Sequence, residues 1–334
     1  MSTLASFKSY LNSQLHVTLP APTTKFSNQT IIITGANTGL GLEAARHLVR
    51  LDAAKVILAV RSLPKGEAAA QDIASTTGRA GVAEAWPLDL SSHASIEAFA
   101  ARVNREIPRV DVLIANAGVF MTQFETAAEA GGDEMTIAVN VVGHMLLALL
   151  LLPRMRETAA EKGRAGVVTF VGSFTHWMTQ FPERKAADIL GGLNDKGKAR
   201  MKDRYYVSKL IQLLTVREFA NELTKSTKPG KIVTSVINPG FVATQIMRHE
   251  GPLFQIYLRV LRKMLARTAE EGSRTLVHGA EGGEETHGQY LDDCKVGSAS
   301  GFVLSPEAGD TQKQLWRELA AKLEKAHPGI MQNI

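Results

Sequence analysis

The sequence predicts an α/β protein built on a single doubly wound parallel sheet with helices on both faces. Three observations carry this. Six short apolar runs recur along the chain: "TIIITG" (30–35), "KVILAV" (55–60), "AEAWPL" (83–88), "DVLIAN" (111–116), "GVVTFVG" (166–172) and "KIVTSVIN" (231–238). They are nearly continuous in apolar residues, the pattern of strands covered on both faces. Stretches of helical period separate them, at 39–50, 65–77, 92–107, 130–156 and 203–226, and such alternation builds right-handed parallel βαβ units.

Residues 1–334 read as one domain, because no repeat and no low-complexity linker divides them. The N-terminal extension, 1–27, opens with Leu4, Phe7, Leu11 and Leu15 at helical spacing. It lacks the apolar core of a secretory signal, so a short helix packed on the body is expected, with weak membrane-surface contact as the alternative. The apolar stretch 141–152 falls short of the ~20 residues that span a bilayer. Asn140 and His144 interrupt it and "PRMR" ends it, so it reads as a buried helix. A closing helix is expected in the C-terminal extension, 306–334, from "TQKQLWRELAAKLEK".

Composition narrows the classes of function. Hydrophobic residues make up 45% of the chain, enough for a large core. The single cysteine, Cys294, excludes an internal disulfide and fits a reducing, cytoplasmic setting. The net charge is +5 with the basic residues scattered, so no nucleic-acid footprint is indicated.

The first chemical signal lies between the first strand and the first helix. "IIITGANTGLGLEAARHL" sets Gly35, Gly39 and Gly41 in a strand–turn–helix context. A tight turn that lets backbone approach a pyrophosphate needs residues without a Cβ. The helix behind it offers free N–H groups and the positive end of its dipole. The spacing is G-x-x-x-G-x-G rather than the G-x-G-x-x-G of the common dinucleotide fingerprint.

A second signal is "RYYVSKL", 204–210, where two tyrosines precede a lysine. Residues four apart share one helix face, so Tyr205 and Lys209 are neighbours, and Tyr206 points about a quarter-turn away. Tyr206 is expected to pack against the sheet or a substrate wall.

Together with the other motifs, this pattern resembles the short-chain dehydrogenase/reductase family. "TGANTGLG" looks like its cofactor loop, "LDL" (88–90) like its adenine contact, and "NAG" (116–118) like its structural motif after the fourth strand. Asn140, Ser173, "YYVSK" and "NPGFVAT" follow in the family's order, so that seven motifs cover about 30–245. The resemblance implies a Rossmann-type fold and a catalytic set of Asn140, Ser173, Tyr205 and Lys209. It implies cofactor contacts from Gly35, Asn37, Thr38, Gly39, Leu40, Gly41, Asp89, Leu90, Asn116, Ala117, Gly118, Tyr205, Lys209, Pro239, Gly240, Val242 and Thr244. No metal is implied. Enoyl reductases of this fold space tyrosine and lysine further apart, and sugar-nucleotide epimerases carry Gly-x-x-Gly-x-x-Gly, so neither fits.

By this resemblance Tyr205 gives a proton to a carbonyl oxygen as hydride reaches carbon. Lys209, a cation one turn away, is expected to lower the tyrosine's pKa and to hold the nicotinamide ribose. Ser173 would bond the substrate oxygen, and Asn140 would hold a water that links Lys209 to solvent. His176 and Trp177 are expected either to line the pocket or simply to pack.

The cofactor expected is NADP(H). At the tip of the second strand, where an NAD enzyme usually has an acidic residue, stands Arg61, with Lys65 one turn on. A guanidinium there can fork onto a 2′-phosphate.

Two departures from the family stand out. Ser173 and Tyr205 are 32 residues apart, widened by an insertion at 174–204. That gap, "RSLPKGEAAA", "GQYLDDCKV" and the C-terminal helix resemble the retinol dehydrogenase-like branch, similar also to fungal and plant ketone reductases of specialised metabolism. The segment 241–268 falls where this fold places its substrate lid. Leu253, Ile256, Leu258, Val260, Leu261 and Met264 there suit a lipophilic substrate, and Arg259, Arg262, Lys263 and Arg267 make it basic and amphipathic.

The reading is therefore an NADP(H)-dependent oxidoreductase acting on a lipophilic ketone or alcohol. An NADPH-binding sensor or scaffold without turnover, or a reductase that also assists a cyclisation, are the alternatives. A lipophilic small molecule is the expected partner. A homodimer is left open, no nucleic acid is expected, and membrane contact would be peripheral at most.

Overall fold

A computed structural model describes residues 3–242 and 265–334, with side chains described from residue 10. The six apolar runs become β1 (Thr30–Thr34), β2 (Lys55–Val60), β3 (Ala83–Pro87), β4 (Val112–Ala115), β7 (Gly166–Val171) and β8 (Ile232–Asn238). A small hairpin, β5 (Thr126–Ala127) and β6 (Asp133–Glu134), lies outside the main sheet. Two further strands, β9 (Gln289–Asp292) and β10 (Lys295–Val296), extend one edge. The order is β10-β9-β8-β7-β4-β1-β2-β3, parallel except where β10 turns back on β9. The strand order reverses between β1 and β4, and in sheets of this kind the crevice at the carboxyl ends of such strands is where ligands bind.

The helices are α1 (Thr3–His16), α2 (Gly39–Arg50), α3 (Leu63–Thr77), α4 (His93–Glu106), α5 (Met135–Lys162), α6 (Ile189–Leu193), α7 (Met201–Lys225), α8 (Ala269–Glu281) and α9 (Pro306–Ala326). Both faces of the sheet are covered because its strands present apolar side chains to both. Ile32 joins the core beneath α4, α5 and α7, while Ile31 and Ile33 join the one beneath α2, α3 and α8. Burial of this kind contributes roughly 25 cal/mol per Å² of apolar surface.

Helix α5 meets the length and hydropathy of a membrane crossing but is buried in the core. "PRMR" closes the apolar stretch but not the helix, as the helical period over 130–156 implies. The helix runs through Pro153 to Lys162. Proline removes a ladder hydrogen bond, and the freed carbonyl of Leu149 accepts one from Asn333 Nδ2 instead, at 3.0 Å. The first turns of α5 contain a π-helical segment, Ala138–Gly143, which carries Asn140. A Cβ on Gly143 would run into the Leu90 carbonyl, so the missing side chain lets α5 touch the "LDL" turn that follows β3.

The insertion 174–204 and the C-terminal extension brace each other. Glu318 on α9 accepts the free N–H groups of Ile189 and Leu190 at the start of α6 (3.0 and 2.8 Å). Trp316 of α9 stacks on Phe219 of α7 at 6.0 Å. Residues 243–264, most of the expected lid, lie outside the described residues, and with them Thr244 and the lid's apolar set. Arg267 is described, and it is no part of a basic exposed face. It is buried and paired with Asp293 at 2.8 Å, which satisfies a charge that would otherwise be costly to bury.

Candidate active site

The glycine turn is shaped from below by Asn116 and Thr34. Gly35 and Gly39 both adopt left-handed backbone, at φ 66 and 58°, which only glycine takes cheaply. Asn116 Nδ2 donates to the Thr34 carbonyl at 2.8 Å, and the backbone N–H groups of Asn116 and Ala117 both donate to the Thr34 hydroxyl at 2.9 Å. A Cβ on Gly41 would lie 2.6 Å from Asn116 Nδ2 and 2.9 Å from the Gly35 carbonyl, so the helix start needs glycine to close on the turn. Asn116 thus holds the loop. Leu40 and Val242 turn their side chains onto Gly272 of α8.

The turn fits a pyrophosphate. Thr38 occupies the N-cap of α2 without making a side-chain hydrogen bond, so first-turn N–H groups remain for an anion. At the tip of β2, Arg61 is exposed and enters no ion pair among the described residues. Ser62 next to it caps α3 with its hydroxyl likewise uncommitted. Asp89 gives one carboxylate oxygen to Ser91, at 2.9 Å from its N–H and 2.6 Å from its hydroxyl. Its other oxygen makes no hydrogen bond among the described residues.

Ser173, Tyr205, Lys209 and Asn140 converge where β7, α7 and α5 meet. The Ser173 hydroxyl lies near enough to the Tyr205 phenol to lower its pKa and accepts from Thr175 N at 3.2 Å. Lys209 Nζ lies 5.7 Å from the centre of the Tyr205 ring and donates to the Val171 carbonyl at 2.7 Å. Asn140 is engaged on every side. Its amide spans both backbone groups of Val119 (2.9 and 3.0 Å) and donates to the Ser208 hydroxyl at 3.0 Å. Its carbonyl accepts from Gln212 Nε2 at 3.0 Å, and Gln212 Oε1 sits 3.4 Å from Lys209 Nζ. Ser208 in turn donates to the Tyr205 carbonyl at 2.7 Å.

Comparison with known proteins bears on this arrangement. A family profile described as short chain dehydrogenase matches residues 29–182. The chain is 45% identical over 329 residues to the short chain dehydrogenase/reductase dmxR8 of Cryptosporiopsis sp. (strain 8999), covering 97% of this chain and 99% of that one.

The chain belongs to the short-chain dehydrogenase/reductase family.

It is thus an oxidoreductase of a family that uses a nicotinamide cofactor. The short chain dehydrogenase atnD of Emericella nidulans is 46% identical over 279 residues, 82% of this chain and 87% of that one. These relatives are fungal and place the chain in the family at large. They do not carry the narrower likeness to retinol dehydrogenases. Among solved structures, a 3-ketoacyl-(acyl-carrier-protein) reductase from Brucella melitensis in complex with NADH superposes with a TM-score of 0.58 at 20% identity, covering 80% of this chain and 97% of that one. A 7α-hydroxysteroid dehydrogenase in complex with NADH and 7-oxo glycochenodeoxycholic acid gives 0.58 at 21% identity, over 80% and 93%. At that identity the likeness is one of fold.

The charge states of this dehydrogenase's site differ from the sequence expectation. Burial raises the Tyr205 phenol well above its ordinary value, and the nearby Ser173 hydroxyl offsets this only in part. The lowering expected from Lys209 is missing because the same burial acts on the lysine. Desolvation brings its ammonium down to about 7, so it carries only part of a charge near neutral pH.

Two histidines are neutral for related reasons. The Thr34 hydroxyl already accepts two N–H groups, so its own hydrogen goes to His144 Nε2 at 3.0 Å. Burial, then the Lys209 charge, pushes that ring down to about 3. His176, where the sequence left lining and packing equal, is buried. Its Nε2 accepts from Ser300 N at 3.2 Å, so Nδ1 carries the hydrogen that meets the Ser173 carbonyl at 2.7 Å. Burial lowers it to about 4. Trp177 is half-buried and stacks on Phe174 at 6.1 Å, and Tyr206 is half-buried edge-on to Tyr205.

Sequence reasoning missed Gln212, Ser208 and Asn238. The first two were within reach, since they lie on the Tyr205–Lys209 face of α7 at helical spacing. Asn238, before the Pro-Gly pair, accepts from Phe174 N and Gly240 N (3.0 and 3.1 Å), tying the serine's loop to that turn.

Proposed function

We propose that the protein is an NADP(H)-dependent carbonyl reductase that acts on a lipophilic ketone, or on the corresponding alcohol in reverse, with Tyr205 as general acid–base. The observation that carries this reading is the convergence of Tyr205, Ser173 and Lys209, with the Lys209 Nζ 5.7 Å from the Tyr205 ring and the phenol raised by burial. When bound, the nicotinamide supplies or accepts the hydride. Tyr205 gives its phenolic hydrogen to the carbonyl oxygen, and Ser173 holds that oxygen in place. A phenol above its ordinary pKa is a loaded proton donor at neutral pH, which favours reduction. Oxidation needs the phenolate, so it should call for more alkaline conditions. Lys209, anchored by Val171 and Gln212, stabilises the tyrosinate left after transfer. Asn140 and Gln212 act by fixing Lys209 rather than by touching substrate.

The cofactor's pyrophosphate would sit on the Gly35–Gly41 turn and the start of α2, and its adenine by the free oxygen of Asp89. Arg61, Ser62 and Lys65 would take the 2′-phosphate at the uncapped start of α3. Tyr205 and Lys209 would hold the ribose next to the nicotinamide, with the backbone of Pro239, Gly240 and Val242 beside it. The lipophilic substrate rests on the aromatic surroundings of the serine and tyrosine, formed by Phe120, Phe174, Trp177 and Tyr206.

The test replaces each tyrosine by phenylalanine. Tyr205→Phe should lower kcat at least ~10²-fold, with NADPH affinity nearly intact. Tyr206→Phe should change kcat little. The opposite pattern would put the wrong tyrosine in the site.

A further inference from the structure

The family profile begins at residue 29, yet α1 lies against the reaction centre. Its attachments converge on functional segments. Gln14 Oε1 accepts from Phe241 N at 2.7 Å, and Gln14 Nε2 sits 2.5 Å from where a Cβ on Gly240 would be. Ser13 donates to Asp293 at 2.8 Å, and Arg267 donates to the Ser13 carbonyl at 3.1 Å. The helix is therefore clipped to residues on both sides of segment 243–264, by Phe241 before it and Arg267 after it.

From this platform Tyr10 reaches the serine's loop. Its ring stacks on Phe174, the residue after Ser173, at 4.0 Å and 13°. Trp177 continues the stack from Phe174 at 17°. Three nearly parallel rings thus stand beside Ser173. Burial pushes the Tyr10 phenol up, against the Arg267 charge, which draws it down. Polar clips hold α1, Leu15 on it is exposed, and among the described residues Tyr10 is the aromatic side chain that it lays on the site.

We propose that Tyr10, presented by the N-terminal helix, is a specificity-determining residue of the substrate site, which selects ketones carrying a planar ring by stacking. This deepens the reductase reading and rests on it. A flat, partly fixed aromatic wall favours a rigid planar ligand over a flexible chain, because the chain loses rotamer freedom on binding and gains no ring–ring contact.

The experiment compares a bicyclic aryl ketone, 1-tetralone, with an acyclic one of similar size, 2-decanone, in wild type, Tyr10→Leu and Tyr10→Phe, with NADPH. Tyr10→Leu should lower kcat/KM for 1-tetralone about 10-fold, mostly through KM, and change that for 2-decanone less than 2-fold. Tyr10→Phe should keep the preference. Equal losses for both ketones, or loss of NADPH affinity, would make Tyr10 a structural prop and overturn the proposal. Equilibrium dialysis of 1-tetralone against the NADPH complex separates the two readings. Wild type that binds 1-tetralone but never reduces it sinks the reductase reading, and the Kd ratio of wild type to Tyr10→Leu then decides the role of Tyr10. Wild type that does not bind 1-tetralone refutes the role of Tyr10 directly. Should Tyr10→Leu fail to fold, Tyr10→Met, which keeps unbranched apolar bulk without a ring, gives the same comparison.

Discussion

Lys209 should make the dehydrogenase less stable than it would be without it, and the burden should fade as pH rises. The lysine is buried, and desolvation brings its pKa from 10.5 to about 7. Its neutral form is the one the fold favours. Below about pH 7 both folded and unfolded chains hold the proton, and the unfavourable contribution is complete. Between about 7 and 10.5 the unfolded chain holds a proton that the folded one has released, so stability rises with pH, and above that window the burden is gone. The slope approaches ~1.4 kcal/mol per pH unit, which gives roughly 2 kcal/mol between pH 7 and 9 once partial titration is counted. In Lys209→Met, which has similar length and no charge, this contribution is absent. Loss of the bond to Val171 shifts the variant's stability by an amount that does not vary with pH, so the slope isolates the lysine. A chain of 334 residues unfolds with an entropy of about 0.7 kcal/mol per kelvin. The Tm of wild type should therefore gain ~3 °C on that of Lys209→Met from pH 7 to 9. The assay is thermal unfolding of both proteins across that range in one buffer series. Parallel curves would mean that Lys209 is charged in the fold and that burial does not govern it.

Three further outcomes follow from named contacts. Wild type should prefer NADPH over NADH roughly 10- to 10⁴-fold in kcat/KM at low salt, since one or two charge-assisted bonds contribute about 1.5–3 kcal/mol each; Arg61→Asp should reverse or strongly reduce that preference, and an unchanged ratio would remove Arg61 from the cofactor site. Gly41→Ala sets a methyl group 2.6 Å from Asn116 Nδ2, so it should destabilise the fold by about 1–3 kcal/mol and lessen the Tm rise produced by NADPH; a variant with both intact would show that the turn has room to spare. His144 and His176, held at about 3 and 4, should stay neutral with the hydrogen on Nδ1 at pH 5.5, which ring ¹⁵N chemical shifts report; because the unfolded chain protonates them first, each withdraws roughly 2 kcal/mol of stability by pH 5, and a ring titrating near 6.5 would contradict its burial.

What the sequence by itself determined is local. Gly35, Gly39 and Gly41 announce the turn because a missing Cβ is a requirement of the backbone and needs no partner to be read. The register of Tyr205 and Lys209 is legible because four residues make one helical turn whatever surrounds it. The six strands are legible from their apolar runs, although β3, at the sheet edge, is only partly buried, and their parallel order is legible from the helices between them. Tertiary structure decided whatever depends on distant partners or on the depth of burial. The carbonyl freed by Pro153 is taken up by Asn333, 184 residues from Leu149, a partner that no local rule could show. Strand β9 is too short to be read alone and exists because β8 offers it an edge. Arg267 looks like one more basic residue of an amphipathic segment until Asp293 and Ser13 are seen to enclose it. Tyr10 meets Phe174 across more than half the usual length of a domain, and spacing carries no trace of that. The proton on Tyr205 and the partial charge on Lys209 are set by desolvation, a property of the space around a side chain that only the assembled fold defines.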